Sequence, residues 1–282
     1  MKVAVYLPKY NEGHQKILEA FAEGIPGAKT RWLEDFKPDS DVAVVFGWYK
    51  YAFSPTMEKQ RIIDHYLAKR KLIIIESAFM KRKDYYQIGW NGFAGGADFR
   101  NKGMPLDRWE SMDIPVLPWQ KIKDGLIVVC GQLPRDTQVQ DVDHLAWCKD
   151  TFQWYRKIFG DRVVFRPHPR NDTPGEYGID PKYFDIRKLS VVLKESSMVV
   201  TWNSTTGVEA AVSGVPVVAC NQGSMAWPVS KKFVSDTPIY PDRKEWLAGI
   251  GYAQWSPAEM RGGQPWRHLS RPKQNKGETT DG

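Results

Sequence analysis

At 282 residues, 42% hydrophobic and 13% aromatic, the chain has material for one large or two modest cores, which excludes a disordered or fibrous protein. The net charge of +7 permits a polyanionic partner, but basic and acidic residues are mixed in both halves, so neither half is a basic arm. No apolar run approaches the roughly 20 residues that span a bilayer, and the opening MKVAVYLPKYNEGHQK turns polar too early for a secretory leader, so the expectation is a cytoplasmic protein without a membrane partner.

In chain order, residues 2–7 form a short apolar strand, followed by a polar loop and an amphipathic helix over 15–24. A second strand is expected near 30–33. Residues 42–46 are a near-continuous β-branched run, the pattern of a strand buried on both faces. An aromatic loop over 47–53 leads to a helix signalled by Ser54 as cap and Pro55 at the first helical position, running to about Arg70. Residues 72–75 read as another buried strand. Residues 84–119, dense in Gly, aromatic and polar residues, then read as a long loop of the kind that tends to be functional.

After a polar junction at 121–125 the alternation restarts: a strand over 126–130, a loop, a helix over 142–159, a strand over 163–166, a short helix over 186–195, a strand over 198–201, a helix carrying Glu209, and a strand over 215–220. A further helix is expected from about Arg243 to Tyr252. Strands alternating with helices imply parallel sheets, so the fold class is α/β with two Rossmann-like, doubly wound halves and a cleft between them. The expected division is 1–124, 125–245, a helical segment 246–270 packing back, and a disordered tail 271–282. Cys130, Cys148 and Cys220 are too few and too scattered for a disulfide framework or zinc cage and read as core residues.

Two stretches carry chemistry. Residues 198–222, MVVTWNSTTGVEAAVSGVPVVACNQ, read as strand, tight turn, helix and strand, with Asn203, Ser204, Thr205 and Thr206 where a helix begins at the carboxyl end of a buried strand. That is either a plain cap or an anion site. The other stretch is RPHPR, where a strand end stiffened by two prolines holds His168 between Arg166 and Arg170. Guanidinium groups grip phosphate oxygens, and an imidazole can protonate one that departs. One crossover separates the two stretches, so both fall on one sheet edge and together read as the jaws of a phosphate clamp.

An HP motif followed by a strand ending in a Ser/Thr cluster, then ExA and GVPVV, resembles the donor half of GT-B glycosyltransferases, within them the capsule-polysaccharide and sialyltransferase-like group. The C-terminal pattern AxxQWxxxEMxxGxxWxHL, residues 253–269, is similar to that of small bacteriophage-borne transferases. The resemblance implies a nucleotide-sugar co-substrate, UDP-linked first, and a location in the host cytoplasm if phage-encoded. It places His168 on the leaving phosphate and Ser204, Thr205 and Thr206 around the same phosphates. It also places Glu209 on the donor ribose and Gly131 and Gln132 in the loop opening the donor domain.

Asp141-Val142-Asp143 has the form of a DxD metal motif but opens a helix, where Asp serves as a cap, so no obligatory metal is expected. A base for the acceptor hydroxyl should come from the first half. Asp98 in the Gly-rich GGADF is preferred, with Glu76, Glu12 and His14 as alternatives. Trp48, Lys50, Trp90 and Asn91 are candidates for holding the acceptor, because loop aromatics beside cations suit exposed bases. With the phage-like resemblance, this suggests a hydroxymethylated pyrimidine in DNA as the acceptor. A surface glycan, a non-sugar transfer to modified DNA, or a binding protein without turnover are the competing readings; oligomeric state is left open.

Overall fold

The structure, a computed structural model, describes residues 1–48 and 57–272. Lys50, the rest of the loop to Phe53, the Ser54–Pro55 helix start and the tail beyond 272 lie outside the described residues. The chain divides into two compact units. One comprises residues 1–93, 97–104 and the segment from 251 onward, and the other comprises residues 94–96 and 105–250.

The first unit begins with β1 (Val3–Leu7), α1 (Glu12–Glu23), β2 (Lys29–Trp32), β3 (Val42–Phe46), α2 (Met57–Ala68), β4 (Leu72–Ser77) and β5 (Tyr86–Trp90). α1 starts earlier than its apolar period suggests, because the Asn11 side chain accepts the His14 amide hydrogen at 3.0 Å and caps it. β1 and β3 are buried at every position, as β-branched strands covered on both faces must be.

β5 lies inside the stretch expected as a loop. It pairs antiparallel with β4, from Ile73 opposite Trp90 to Ser77 opposite Tyr86. Its YQIGW sequence carries little β-branched signal, and Gly89 is needed because a Cβ there would come within 2.8 Å of Ala97 and Phe99.

In the second unit, α3 (Asp107–Ser111) precedes β6 (Leu126–Cys130), α4 (His144–Phe159), β7 (Val163–Arg166), α5 (Leu189–Lys194), β8 (Ser196–Thr201), α6 (Thr206–Val212), β9 (Val217–Ala219) and β10 (Lys231–Lys232). The five strands lie in the order β10-β9-β8-β6-β7, all parallel. Residues 105–124, placed ahead of the junction by the sequence, belong to this unit. Leu117 donates its amide hydrogen to Val212 O at 3.0 Å, and Gln120 donates to Gly214 O at 2.6 Å, which lays the segment along the end of α6. Cys130, Cys148 and Cys220 are free and buried.

α7 (Lys244–Gly251) is followed by β11 (Gln254–Trp255), α8 (Pro257–Arg261) and α9 (Gln264–Leu269). These last three complete the first unit, whose sheet reads β11-β5-β4-β3-β1-β2. β1 to β4 are parallel, β5 runs antiparallel to β4, and β11 at the edge runs antiparallel to β5. The residues of the 253–269 pattern have visible structural duties. The Gln254 side chain accepts the amide hydrogens of Phe79 and Met80, at 3.0 and 3.2 Å. Ser256 and Glu259 form a reciprocal capping box for α8. Trp255, Met260 and Leu269 complete the core around β1, β3 and β5.

Candidate functional site

In chain order the strands of the second unit lie 2-1-3-4-5, so the winding reverses between β6 and β8. Ligands of open α/β sheets bind outside the carboxyl ends of the strands at that reversal. Cys130 pairs across with both Arg166 of β7 and Thr201 of β8, so the three loops that follow leave the sheet at one level. At the usual strand spacing, the loops after β7 and β8 start about 10 Å apart, with the β6 loop between them.

The reversal point is built from side-chain amides. Gln132, 5% exposed, donates from Nε2 to Asn203 Oδ1 at 2.8 Å and accepts the Asn203 amide hydrogen at 3.1 Å. Asn203 in turn donates from Nδ2 to Gln138 O at 2.8 Å. The Gln132 carbonyl accepts from the buried Tyr177 hydroxyl at 2.6 Å, and its amide hydrogen goes to His144 Nε2 at 2.9 Å. Gln132 and Asn203, expected as direct donor contacts, therefore set the spacing of two loops by holding each other. Gly131 is required by packing, because a Cβ there would come within 2.8 Å of the Phe165 ring.

His144 and Tyr177 were not among the residues singled out from the sequence. His144 is 3% exposed, its ring lies parallel to Trp147 at 5.4 Å, and burial pushes its pKa down to about 4, so the ring is neutral. A signal was available: His144, Cys148, Phe152 and Tyr155 follow the helical period that marks the buried stripe of α4. Asp143, the second Asp of the DxD-like triplet, caps α4 by accepting the Ala146 amide hydrogen at 3.0 Å.

His168 is half-buried after β7, and its Nδ1 accepts the Arg170 amide hydrogen at 3.1 Å. That bond leaves the proton of a neutral ring on Nε2. Arg166 differs from expectation. Its Nη1 donates to the carbonyls of Asp185 at 3.1 Å and Arg187 at 2.6 Å, so it ties the following segment to β7. The Arg170 side chain is exposed.

On the β8 side, Ser204 Oγ accepts the Thr206 amide hydrogen at 3.2 Å and lies 3.2 Å from Thr206 Oγ1. The Ser204 amide hydrogen is held by buried Thr201 Oγ1 at 3.1 Å. Thr205 precedes α6 and makes no capping bond with its side chain, and Glu209 sits half-buried on the first turn. The Glu209 carboxylate is close enough to the end of β6 to raise the Cys130 thiol further, though burial is the main cause of its pKa of about 12.

The described candidates of the first unit have the following surroundings. Asp98 pairs through its backbone with Trp90, and its carboxylate accepts the Arg100 amide hydrogen at 3.2 Å and lies 3.3 Å from Arg100 Nε. It stabilises a turn beside a cavity of about 440 Å³ lined also by Lys102 and Arg271. The Gly-rich stretch before it serves a close backbone approach within the second unit: the Gly95 amide donates to Gly223 O at 2.9 Å. Trp90 is 8% exposed with its indole N–H on Leu269 O at 3.0 Å, so neither ring face is open for stacking. Asn91 is a turn residue with φ 58°, and its Oδ1 accepts the Leu72 amide hydrogen at 3.2 Å. Trp48 is half-buried, 6.1 Å from the Phe93 ring.

Among the described residues no group of three or more His, Cys, Asp or Glu could hold a metal ion. No described helix is long and apolar enough to cross a membrane.

No protein-family model and no curated protein matches the chain in sequence. Two solved structures match its fold along nearly the whole length. The β-Kdo 2,7-transferase of Thermosulfurimonas dismutans KpsC is 16% identical with a TM-score of 0.53, over 95% of this chain and 99% of that one. The β-Kdo 2,4-transferase of the same KpsC is 13% identical with a TM-score of 0.59, over 90% of each. The likeness concerns the fold, a GT-B-type pair of Rossmann-like units.

Proposed function

We propose that the protein is a glycosyltransferase that binds a nucleotide-activated sugar on its second unit and moves the sugar to a hydroxyl acceptor. The observation that carries this reading is the level edge formed by β7, β6 and β8. There the amide pair Gln132–Asn203 fixes the reversal point, with His168 on one flank and the Ser204–Thr206 hydroxyls on the other. In transfer, the bond from the sugar carbon to the phosphate oxygen breaks with its electron pair going to that oxygen. The Nε2–H of His168 stabilises the developing charge, while Ser204, Thr205 and Thr206 hold the phosphate. Glu209 would take the ribose hydroxyls.

The leading donor is a UDP-sugar. Because two of the matching structures are Kdo transferases, a Kdo-bearing nucleotide is the second donor to test. No step requires a metal. The acceptor proposed first is a hydroxymethylated pyrimidine in DNA, supported by the net charge of +7 and the phage-like C-terminal pattern, with a glycan hydroxyl as the second.

Thermal-shift measurements with UDP, UDP-sugars, cytidine nucleotides and a Kdo nucleotide test the donor, since a ligand bound only by the folded chain raises Tm. If none raises Tm, the reading fails. His168→Ala should keep the wild-type Tm yet release free nucleotide from the donor about 10²- to 10⁴-fold more slowly. Salt-dependent binding to duplex or single-stranded DNA tests the acceptor, and its absence moves the acceptor to the glycan.

A further inference from the structure

The carboxyl edge of the second sheet continues past β8. Lys232 of β10 pairs across with Ala219 of β9, Ala219 with Thr201 of β8, and Thr201 with Cys130 of β6, so these residues form one row. Phe233 follows Lys232 and therefore stands at the level where the Ser204–Thr206 loop leaves β8. Two strand spacings, roughly 10 Å, separate β10 from β8. The segment joining β9 to β10 ties the two places together. Ala226 is buried against Gly207 in the first turn of α6, where a Cβ would come within 3.2 Å of the Ala226 methyl. Trp227 comes directly after it.

Phe233 is unusual twice over. It is 69% exposed, and its φ of 65° puts a bulky aromatic residue in the left-handed region. Such conformations cost free energy and gather at ligand sites. The Trp227 and Phe233 rings are perpendicular, 6.1 Å between centroids, and Lys232 Nζ lies 4.5 Å from the centre of the Trp227 ring. Among the described residues, neither the Lys232 ammonium nor the Trp227 indole N–H has a hydrogen-bond or ion-pair partner. Burial lowers the Lys232 pKa, as it does for an ammonium drawn out of water with no carboxylate beside it. An exposed ring face carries the negative side of its quadrupole and attracts C–H groups, while idle N–H donors attract oxygens. A sugar offers both, with C–H groups on its ring faces and hydroxyls on its rim.

We propose that Phe233, Trp227 and Lys232 form the subsite for the transferred sugar, with its C–H face against the Phe233 ring and its oxygens on the Lys232 ammonium and the Trp227 indole N–H. This rests on the glycosyl-transfer reading above, in which Ser204, Thr205 and Thr206 hold the phosphate that carries the sugar. The whole subsite lies within the second unit.

Titrations of the full chain, read by thermal shift and calorimetry, compare a nucleotide with its sugar-bearing form: UDP against UDP-glucose, and the free nucleotide against a Kdo nucleotide. In the wild type the sugar should add to the Tm rise. Phe233→Ala should weaken nucleotide-sugar binding about 10-fold and leave free-nucleotide binding within about twofold. Lys232→Met should act in the same direction. If folded Phe233→Ala binds the sugar-bearing form as the wild type does, or if a nucleotide raises Tm and none of these sugars adds to it, the proposal is overturned while the donor reading stands. If no nucleotide raises Tm with or without its sugar, both fall.

A second comparison needs no ligand. Gly adopts a φ of 65° without strain and Ala does not, so Phe233→Gly should melt above Phe233→Ala. The reverse order would remove the strained backbone that presents the ring, and the proposal with it.

Discussion

The two units share one winding, 2-1-3-4, and place a strand-end reversal at the same topological position, yet they furnish it with opposite chemistry. In the second unit the reversal is neutral: Gln132, Asn203 and Tyr177 bond to one another and to the uncharged His144 ring, whose buried Nδ1 has no hydrogen-bond partner among the described residues. In the first unit a cation is buried instead: Lys59 of α2 is 2% exposed, and the Glu76 carboxylate acts to keep its charge. Topology fixes where a site can be, and side chains alone decide what it can do. A neutral edge of side-chain amides suits holding two loops in fixed geometry, whereas a buried cation is a charge that the fold holds at a cost.

That contrast is broken most directly at Gln132. Gln132→Leu leaves the Asn203 amide hydrogen and Oδ1 without their partners in a buried setting, at a cost of about 2–6 kcal/mol for two such groups. Urea unfolding should show that loss, and a change under about 1 kcal/mol would mean that the amide pair does not hold the edge together.

In the first unit the corresponding change has the opposite sign. The folded chain holds the Lys59 proton less tightly than the unfolded chain, so the ammonium weakens the fold fully below pH 7, and the penalty fades as pH rises through 7 to 10.5. Lys59→Met should therefore stabilise below pH 7, by at most about 5 kcal/mol, and lose that advantage above pH 10.5.

A smaller effect belongs to His144. Its pKa of about 4 lies below the ordinary 6.5, so stability is fully present above pH 6.5 and declines as pH falls toward 4, by at most about 3 kcal/mol. His144→Gln should flatten that part of the stability profile, measured by unfolding at several pH values. Smallest is Gly131→Ala, whose methyl must displace the Phe165 ring at a cost of about 1–3 kcal/mol, read as a lower Tm.

Much of this was legible in the chain. The β-branched runs of β3, β4, β6 and β8 and the alternation of strand and helix determined two parallel-strand units, because a strand covered on both faces must be apolar throughout. The short loops after β7 and β8 were equally readable, since proline-stiffened RPHPR and the Asn-Ser-Thr-Thr run each have one local way to leave a strand.

Residues whose partners are far away in sequence were not readable. Arg166 looked like a phosphate grip until carbonyls 19 and 21 residues on claimed its guanidinium. Trp90 looked like a loop aromatic until Leu269, 179 residues on, accepted its indole hydrogen. β5 acquired its identity from pairing with β4 and β11 rather than from its own composition. Local propensity and hydrophobic period are written in neighbouring residues and survive without a fold. The duty of a polar side chain depends on which donor or acceptor arrives beside it, and only the tertiary structure brings Gln132 to Asn203 or the Trp90 indole to Leu269.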